Sequence, residues 1–351
     1  MTFLPHLRRR VLASTLAATV ALTALAGCAS PSPGDEPSGA AAALLPTAEG
    51  STDYPLTLDS PFGETVLEQR PERVAIVTAS TVDTDALIAI GGTPVFAPST
   101  IERNPWLDPD AIAGIETLWE SNAGAEVSAE AVAASDPDLI VALYAYDSFD
   151  RARFEQLSRI APVLYAEGGE LSWQETTQRL AESVDLSAEA DRVIASTERL
   201  VSDSRDEHPG FAGRTAAHVI VYEEDYGAAY VSAPGTDTAT LFEQLGFDLP
   251  DNAARFESDE AISDEMIGLI DADFLLVSTF EDGSADYFVE SPLFRAVPAV
   301  AEGRTVIDPA DQKTGINSFA WGLNVQSAIS VPWLIDRLAG FGEQALQASE
   351  Q

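Results

Sequence analysis

Two glutamates stand at equivalent places in a pattern that the chain uses twice. Val127-Ser-Ala-Glu130-Ala-Val-Ala-Ala-Ser-Asp-Pro-Asp138-Leu-Ile-Val-Ala142 recurs in register as Ile262-Ser-Asp-Glu265-Met-Ile-Gly-Leu-Ile-Asp-Ala-Asp273-Phe-Leu-Leu-Val277. In each copy a Ser precedes a short helix-periodic run, an Asp pair follows it, and four apolar residues then read as a buried strand. One acid per half is the chemistry of a matched pair of charged contacts. Two ordinary αβ units in one large domain would give the same repeat.

Catalytic chemistry leaves little trace. The three histidines are His6 near the N-terminus, His208 at a helix end and His218 inside a strand, so the clustered spacing of zinc ligands is absent. No Gly-x-Ser-x-Gly elbow, phosphate loop or Gly-x-Gly-x-x-Gly follows a strand. Among 57 acids, chance pairs such as Glu223-Glu224 are expected and do not single out an acid-base hydrolase. Aromatic side chains in probable loops at strand ends stand out instead: Trp106, Trp119, Tyr144, Tyr146, Tyr226, Tyr230, Phe280 and Trp321. Each alone is ordinary packing. Gathered outside the carboxyl ends of parallel strands, they would line a cleft for a bulky, partly apolar small molecule.

The elements that would position them alternate strand and helix. Arg73 to Thr78 reads as a buried strand, Ser80 or Thr81 as the cap of a helix Val82 to Ile90 stopped by Gly91-Gly92, and Pro94 to Ala97 as a second strand. Strand, helix, strand in that order implies parallel pairing. Strands follow at Leu139 to Tyr144 and Pro162 to Tyr165, with helices at Phe149 to Ser158 and Ser172 to Val184. Ser187 is placed as the cap of a helix reaching about His208, roughly 30 Å long and able to act as a strut. The pattern restarts with Ala216 to Tyr222 and Thr238 to Leu245, then Thr305 to Asp308 and a closing helix near Ser327 to Leu338, with Pro332 in its first turn.

The first 27 residues are a secretory signal rather than fold: Arg8-Arg9-Arg10, an apolar stretch Val11 to Ala26, and Leu25-Ala-Gly-Cys28 with the sole cysteine. That ending resembles the bacterial lipobox, which makes Cys28 the lipidated first residue. A free cysteine in an exported protein is the alternative. The triple arginine leaves Sec and twin-arginine export both open. Residues 28 to 54, rich in Pro, Ser, Ala and Gly, read as a flexible tether. No later segment reads as a membrane anchor. The net charge of −38 becomes more negative once the three signal arginines are lost, and such a surface repels nucleic acid and anionic headgroups. It also serves solubility.

Several segments together resemble the lipoprotein substrate-binding components of ABC importers for iron-siderophores, haem and cobalamin. They are Pro71-Glu-Arg-Val-Ala-Ile-Val, Asp85-Ala-Leu-Ile-Ala-Ile-Gly-Gly-Thr-Pro-Val, the first repeat copy, Leu157-Ser-Arg-Ile-Ala-Pro-Val, Ser291-Pro-Leu-Phe and Val297-Pro-Ala-Val-Ala-Glu-Gly-Arg-Thr-Val. The resemblance implies an α/β fold of two Rossmann-like lobes with central, mostly parallel sheets, joined by a single long α-helix. The boundaries expected are an N-terminal lobe over 55–186, the connector over 187–208, a C-terminal lobe over 209–343 and a tail over 344–351. It implies a non-enzymatic, monomeric binder, lipid-anchored on the outer face of the cell membrane. Glu130 and Glu265 would dock on the permease dimer that works with its ATPase subunits. By position, Arg103, Trp119, Tyr144 and Tyr146 would contact the ligand from the first lobe, and Tyr222, Tyr230, Lys313, Asn317 and Trp321 from the second. No cofactor is expected. The cargo favoured is a ferric siderophore of neutral or cationic hydroxamate type, since no arginine cluster for an anionic chelate is visible. Haem or cobalamin remains open, and a lipid-anchored hydrolase is the remaining class.

Overall fold

The computed structural model describes residues 43–121, 127–145, 149–258, 260–280 and 285–348. Its strands are β1 Leu56–Ser60, β2 Gly63–Leu67, β3 Val74–Ile76, β4 Phe96–Pro98, β5 Thr117–Trp119, β6 Leu139–Ala145, β7 Val163–Glu167, β8 Ala216–Val221, β9 Ala228–Tyr230, β10 Phe274–Thr279 and β11 Thr305–Asp308. β1 and β2 form an antiparallel hairpin. A five-stranded parallel sheet has the order β5-β4-β3-β6-β7. Counted from its own first strand this is 3-2-1-4-5, the Rossmann order, with the direction of winding reversing beside β3. The second sheet runs β11-β10-β8-β9 and is parallel except for the edge strand β9.

Continuous apolar runs build strands that are buried on both faces. In β6, Leu139, Val141 and Leu143 join the cluster that includes Leu87 and Leu180 on the flanking helices Val82–Ala89 and Trp173–Ser183. Ile140 and Ala142 point the other way, toward Val132, Phe154 and Leu157. The second sheet is sandwiched in the same manner, between a cluster holding Phe242, Phe247 and Leu334 and one holding Phe256, Ile267 and Phe288.

The sequence repeat is a structural one. Asp138 accepts hydrogen bonds from the backbone N–H groups of Glu72 and Arg73, both at 2.8 Å, immediately before β3. Asp273 accepts from the N–H of Thr215 at 2.9 Å, immediately before β8. The second acid of each pair therefore anchors the first strand of its own sheet. The helices between differ. Ser128 caps the α-helix Ala129–Ala134 by accepting from the N–H of Ala131, whereas Ser263 makes no such bond and Asp264–Leu269 is a 3-10 turn containing Gly268.

A helix of 21 residues, Ser187–Glu207, joins the two sheets and buries Ala190, Thr197, Val201 and Ser204. Its start corrects the expectation that Ser187 caps it. Leu186 occupies the cap position without a side-chain bond, and the carboxylate of Glu49 accepts from the N–H groups of Ala188 and Glu189 at 2.7 and 2.8 Å. That contact also shortens the expected tether. Residues 43–54 belong to the folded body: Tyr54 donates to the carbonyl of Ser183, and Leu45 is buried in the first core. The expected tail is corrected too, because the closing helix is Ser330–Ala348. Gly342 within it lets the helix lie on the stacked rings of Phe211 and Phe247, where a Cβ would come within 2.9 Å of Phe247. The signal segment and Cys28 lie outside the described residues. Among the described residues no helix is long and apolar enough to cross a membrane.

Asp185, with φ of 57°, fastens the N-terminal segment to the start of the connector. Its carboxylate accepts from the N–H groups of Gly50, Ser51 and Thr52 at 2.7 to 2.9 Å. Burial pushes its pKa up, but these donors together hold it below the usual carboxylate value. The stabilisation is therefore present above the ordinary aspartate range and fades as pH falls through the depressed folded value. Asp185→Ala is expected to lower the stability measured by urea unfolding at pH 7 by about 2 kcal/mol. The difference from wild type should shrink below about pH 4. An unchanged urea midpoint at pH 7 would show that this anchor contributes nothing.

Candidate functional site

In open α/β sheets the loops leaving the carboxyl ends of the strands form the binding crevice. In the first sheet β4 runs straight into the 3-10 turn Ser99–Arg103, and β5 ends at Glu120 and Ser121. Three loops are tied together here. The hydroxyl of Thr100 donates to the carbonyl of Ala79 at 3.0 Å, and its N–H donates to the Ser121 hydroxyl at 3.2 Å. A cavity of about 720 Å³ opens over them, lined by Ser99, Glu102, Arg103, Leu118, Glu120 and Ser121. In the second sheet β8 and β10 end at Tyr222 and Phe280, whose rings pack 5.3 Å apart. With Glu223 and Tyr226 they enclose a cavity of about 310 Å³. A third cavity, also about 310 Å³, draws on both halves, with Arg103 and Pro105 on one side and Lys313, Thr314, Trp333 and Arg337 on the other.

The two halves meet at Trp106. Its ring lies 5.5 Å from that of Trp333 and so close to Gly322 that a Cβ there would come within 3.2 Å. Its indole N–H donates to Asp85 Oδ2 at 2.9 Å, and the hydroxyl of Ser327 donates to the same oxygen at 2.8 Å. Asp85 is thus a first-half carboxylate, wholly buried, that takes a donor from each half. Burial pushes its pKa up to about 7, against the opposing effect of the Ser327 and Trp106 donors. Two further bonds cross between segments nearby: Ser318 to the carbonyl of Arg103 and Thr197 to that of Ala328, both 3.0 Å. Asp83, two residues earlier in the same helix, ties the loop after β3 to the end of β6 by accepting from Thr78 and from the N–H groups of Leu143 and Tyr144. Burial raises it to about 6.

Several expected residues converge on these cavities. Arg103 is exposed and lines two of them, Lys313 is exposed in the third, and Tyr222 walls the second. Tyr144 is half-buried at the end of β6, and Trp321 is half-buried on the helix Ser318–Asn324. Three expectations are corrected. Trp119 is not in a loop but within β5, stacked on Phe96, with its indole N–H donated to the carbonyl of Ile76. Tyr230 is in β9, 1 % exposed and stacked on Phe256 at 4.2 Å, so it is core. Asn317 lines the third cavity, but its side chain is committed elsewhere: it caps the helix Ser318–Asn324 and donates to Asp308. Tyr146 lies outside the described residues.

Glu130 and Glu265 are exposed in the first turns of equivalent elements. Its own backbone N–H and the Ser128 hydroxyl hold the Glu130 carboxyl below the usual value. His218 is wholly buried in β8, its Nε2 2.9 Å from the Ser278 hydroxyl, and burial lowers its pKa to about 3. Sequence reasoning missed Asp85, Ser327 and Trp333. The available signal was Asp83 and Asp85 inside an otherwise apolar helix.

A family model described as periplasmic binding protein matches residues 74–312. The chain is 26% identical to the protein named "Probable siderophore-binding lipoprotein YfiY" of Bacillus subtilis over 66% of its own length and 73% of the relative's. It is likewise 26% identical to the ferric enterobactin-binding periplasmic protein FepB of Escherichia coli, over 71% of this chain and 82% of that one. A periplasmic solute binding protein from Mycobacterium smegmatis has a similar fold, with TM-score 0.69 and 24% identity over 83% of this chain and 98% of that one.

The Asp85 joint has a pH signature. A carboxyl whose pKa is raised in the folded state binds more protons folded than unfolded between about pH 4 and 7, so its contribution to stability falls as pH rises through that window. Asp85→Asn keeps an acceptor for Trp106 and Ser327 without the charge. The stability of the variant relative to wild type should rise from pH 5 to pH 8 by at least about 1.4 kcal/mol, the equivalent of one pKa unit. A difference that stays constant across that range in urea titrations would refute a raised Asp85.

Proposed function

Because the chain belongs to the periplasmic binding protein family, we propose that it is the substrate-binding lipoprotein of an ABC importer and captures a ferric siderophore. The observation that carries this reading is the placement of cavities at the carboxyl ends of both sheets, within the span matched by the family. The names of the two relatives, one siderophore-binding and one ferric enterobactin-binding, support iron chelates as the cargo class. Iron arrives already coordinated by the chelator, so the protein needs surfaces that pack against an organic shell rather than metal ligands. Aromatic faces and a few polar groups suit that task. A hydroxamate fits these walls better than an anionic catecholate, since the first cavity is lined by two acids, Glu102 and Glu120, against one base, Arg103.

Cys28, lipidated after signal cleavage, would hold the protein at the outer face of the cell membrane. The relative of Bacillus subtilis carries "lipoprotein" in its name, which supports this placement. Binding and release would be the whole activity, with no chemical turnover. Glu130 is in the first turn of the helix that follows the carboxyl end of β5, and Ile262, three residues before Glu265, donates its N–H to the carbonyl of Ala228 beside the carboxyl end of β8, the same end of the sheets as the cavities. Exposed acids at that end suit pairing with arginines on the two permease subunits.

Titration with ferric hydroxamates should quench tryptophan emission with a Kd of about 1 μM or tighter. Ferric catecholates, haem and cobalamin belong in the same panel, and binding of none of them would overturn the uptake reading. A Glu130→Ala, Glu265→Ala double variant should keep its ligand affinity and lose uptake in cells. Normal uptake by that variant would remove the docking role.

A further inference from the structure

The wall formed by the second sheet combines groups that packing against an iron chelate alone does not require. Tyr222, Tyr226 and Phe280 surround the cavity of about 310 Å³, and Glu223 is its remaining lining residue. Tyr222 and Phe280 present tilted rings 5.3 Å apart, at 44° to one another. Tyr226, 75 % exposed, adds a third ring from the turn between β8 and β9. That turn is firmly made. The N–H groups of Tyr226 and Gly227 both donate to the carbonyl of Glu223 at 2.9 and 3.0 Å, and the N–H of Tyr222 donates to the carbonyl of Gly227 at 3.0 Å. Gly227 has φ of 78°, and a Cβ there would press on Ala261 at 3.3 Å, so the backbone path is fixed by its glycine. The backbone that carries Tyr222 and Tyr226 is therefore fixed by hydrogen bonds.

Aromatic faces carry the negative part of the ring quadrupole and attract cations, and a carboxylate on the same rim adds full charge. Among the described residues no Lys or Arg lines this cavity, so its walls offer an anion no opposite charge. The chain's net charge of −38 draws cations toward the cleft from a distance. We propose that this cavity is a cation-accepting subsite that takes a protonated amine arm of the cargo, so that the protein prefers iron chelates bearing a free ammonium group. The subsite rests on the siderophore reading above and narrows its substrate class.

The test compares two probes that differ only in that charge: a ferric linear trihydroxamate ending in a primary amine, and the same complex with the amine acetylated. Tryptophan quenching by wild type should give about 10-fold tighter binding of the amine form. The gap should narrow in 1 M salt. Glu223→Gln and Tyr226→Ala should each remove most of the gap, weakening the amine form more than the acetylated one. Tyr226→Phe, which keeps the ring, should preserve it. Equal affinity for the two probes, or a gap untouched by Glu223→Gln and Tyr226→Ala, would overturn the subsite while leaving the siderophore reading intact. Failure of both probes and of every other iron chelate to bind would instead remove that reading, and the subsite with it.

Discussion

The Asp85 carboxylate, which no solvent reaches, sets how the two sheets face each other. It receives the Trp106 indole and the Ser327 hydroxyl on one oxygen, so its position, that of the Trp106 loop and that of the segment leading into the closing helix are fixed together. Removing the carboxylate would leave both donors, the Trp106 N–H and the Ser327 hydroxyl, without this partner, which costs more than the bonds themselves contribute. The ligand walls inherit this constraint. Arg103 lies three residues before Trp106, and its carbonyl is held by Ser318 on the other half. The connector Ser187–Glu207 packs beside the same joint through Thr197. Pivoting the halves would have to strip Trp106 from Gly322 and Trp333.

How much of this was written plainly in the chain depends on the range of the interaction concerned. The apolar runs of β6, β8 and β10 and the stop at Gly91-Gly92 are local signals, and the connector over 187–207 carries its own helical period. Trp119 and Tyr230 were misplaced because β5 and β9 are three residues long, too short for a periodicity to declare itself. The end of the tether was misplaced for another reason. Residues 43–54 have the composition of a linker, and only their distant partners make them structure: Glu49 caps a helix 139 residues away in sequence, and Asp185 receives the neighbouring N–H groups. The closing helix runs past the expected end at Leu338, through Gly340 and Gly342, to Ala348. Gly342 is there because Phe211 and Phe247 leave no room for a side chain.

The candidate site divides along the same line. Arg103, Lys313 and Tyr222 are exposed or half-buried at loop ends and could be picked out by type and place. Asn317 also adjoins a cavity, yet its amide serves the helix that follows it and the buried carboxylate of Asp308. Asp308 in turn holds Arg337 at 2.7 Å, so a charge at the edge of the third cavity is oriented from beneath. Such support is invisible in a linear text, since it depends on which side chains the topology turns inward. The strongly acidic composition was legible, but its meaning was not. Solubility and ligand selection draw on the same residues, and only the grouping of Glu223 with three aromatic rings separates one use from the other.

Asp138 and Asp273 make the start of each sheet independent of the other. Each fastens the leading strand of its own sheet through backbone N–H groups, and neither reaches across to the other half. Each half is thus self-sufficient in the bond that starts its sheet. The two halves differ where that bond imposes nothing: a capped α-helix in one stands against a 3-10 turn in the other, and the parallel β4 of one against the antiparallel β9 of the other. What they share is the anchor rather than the side chains around it.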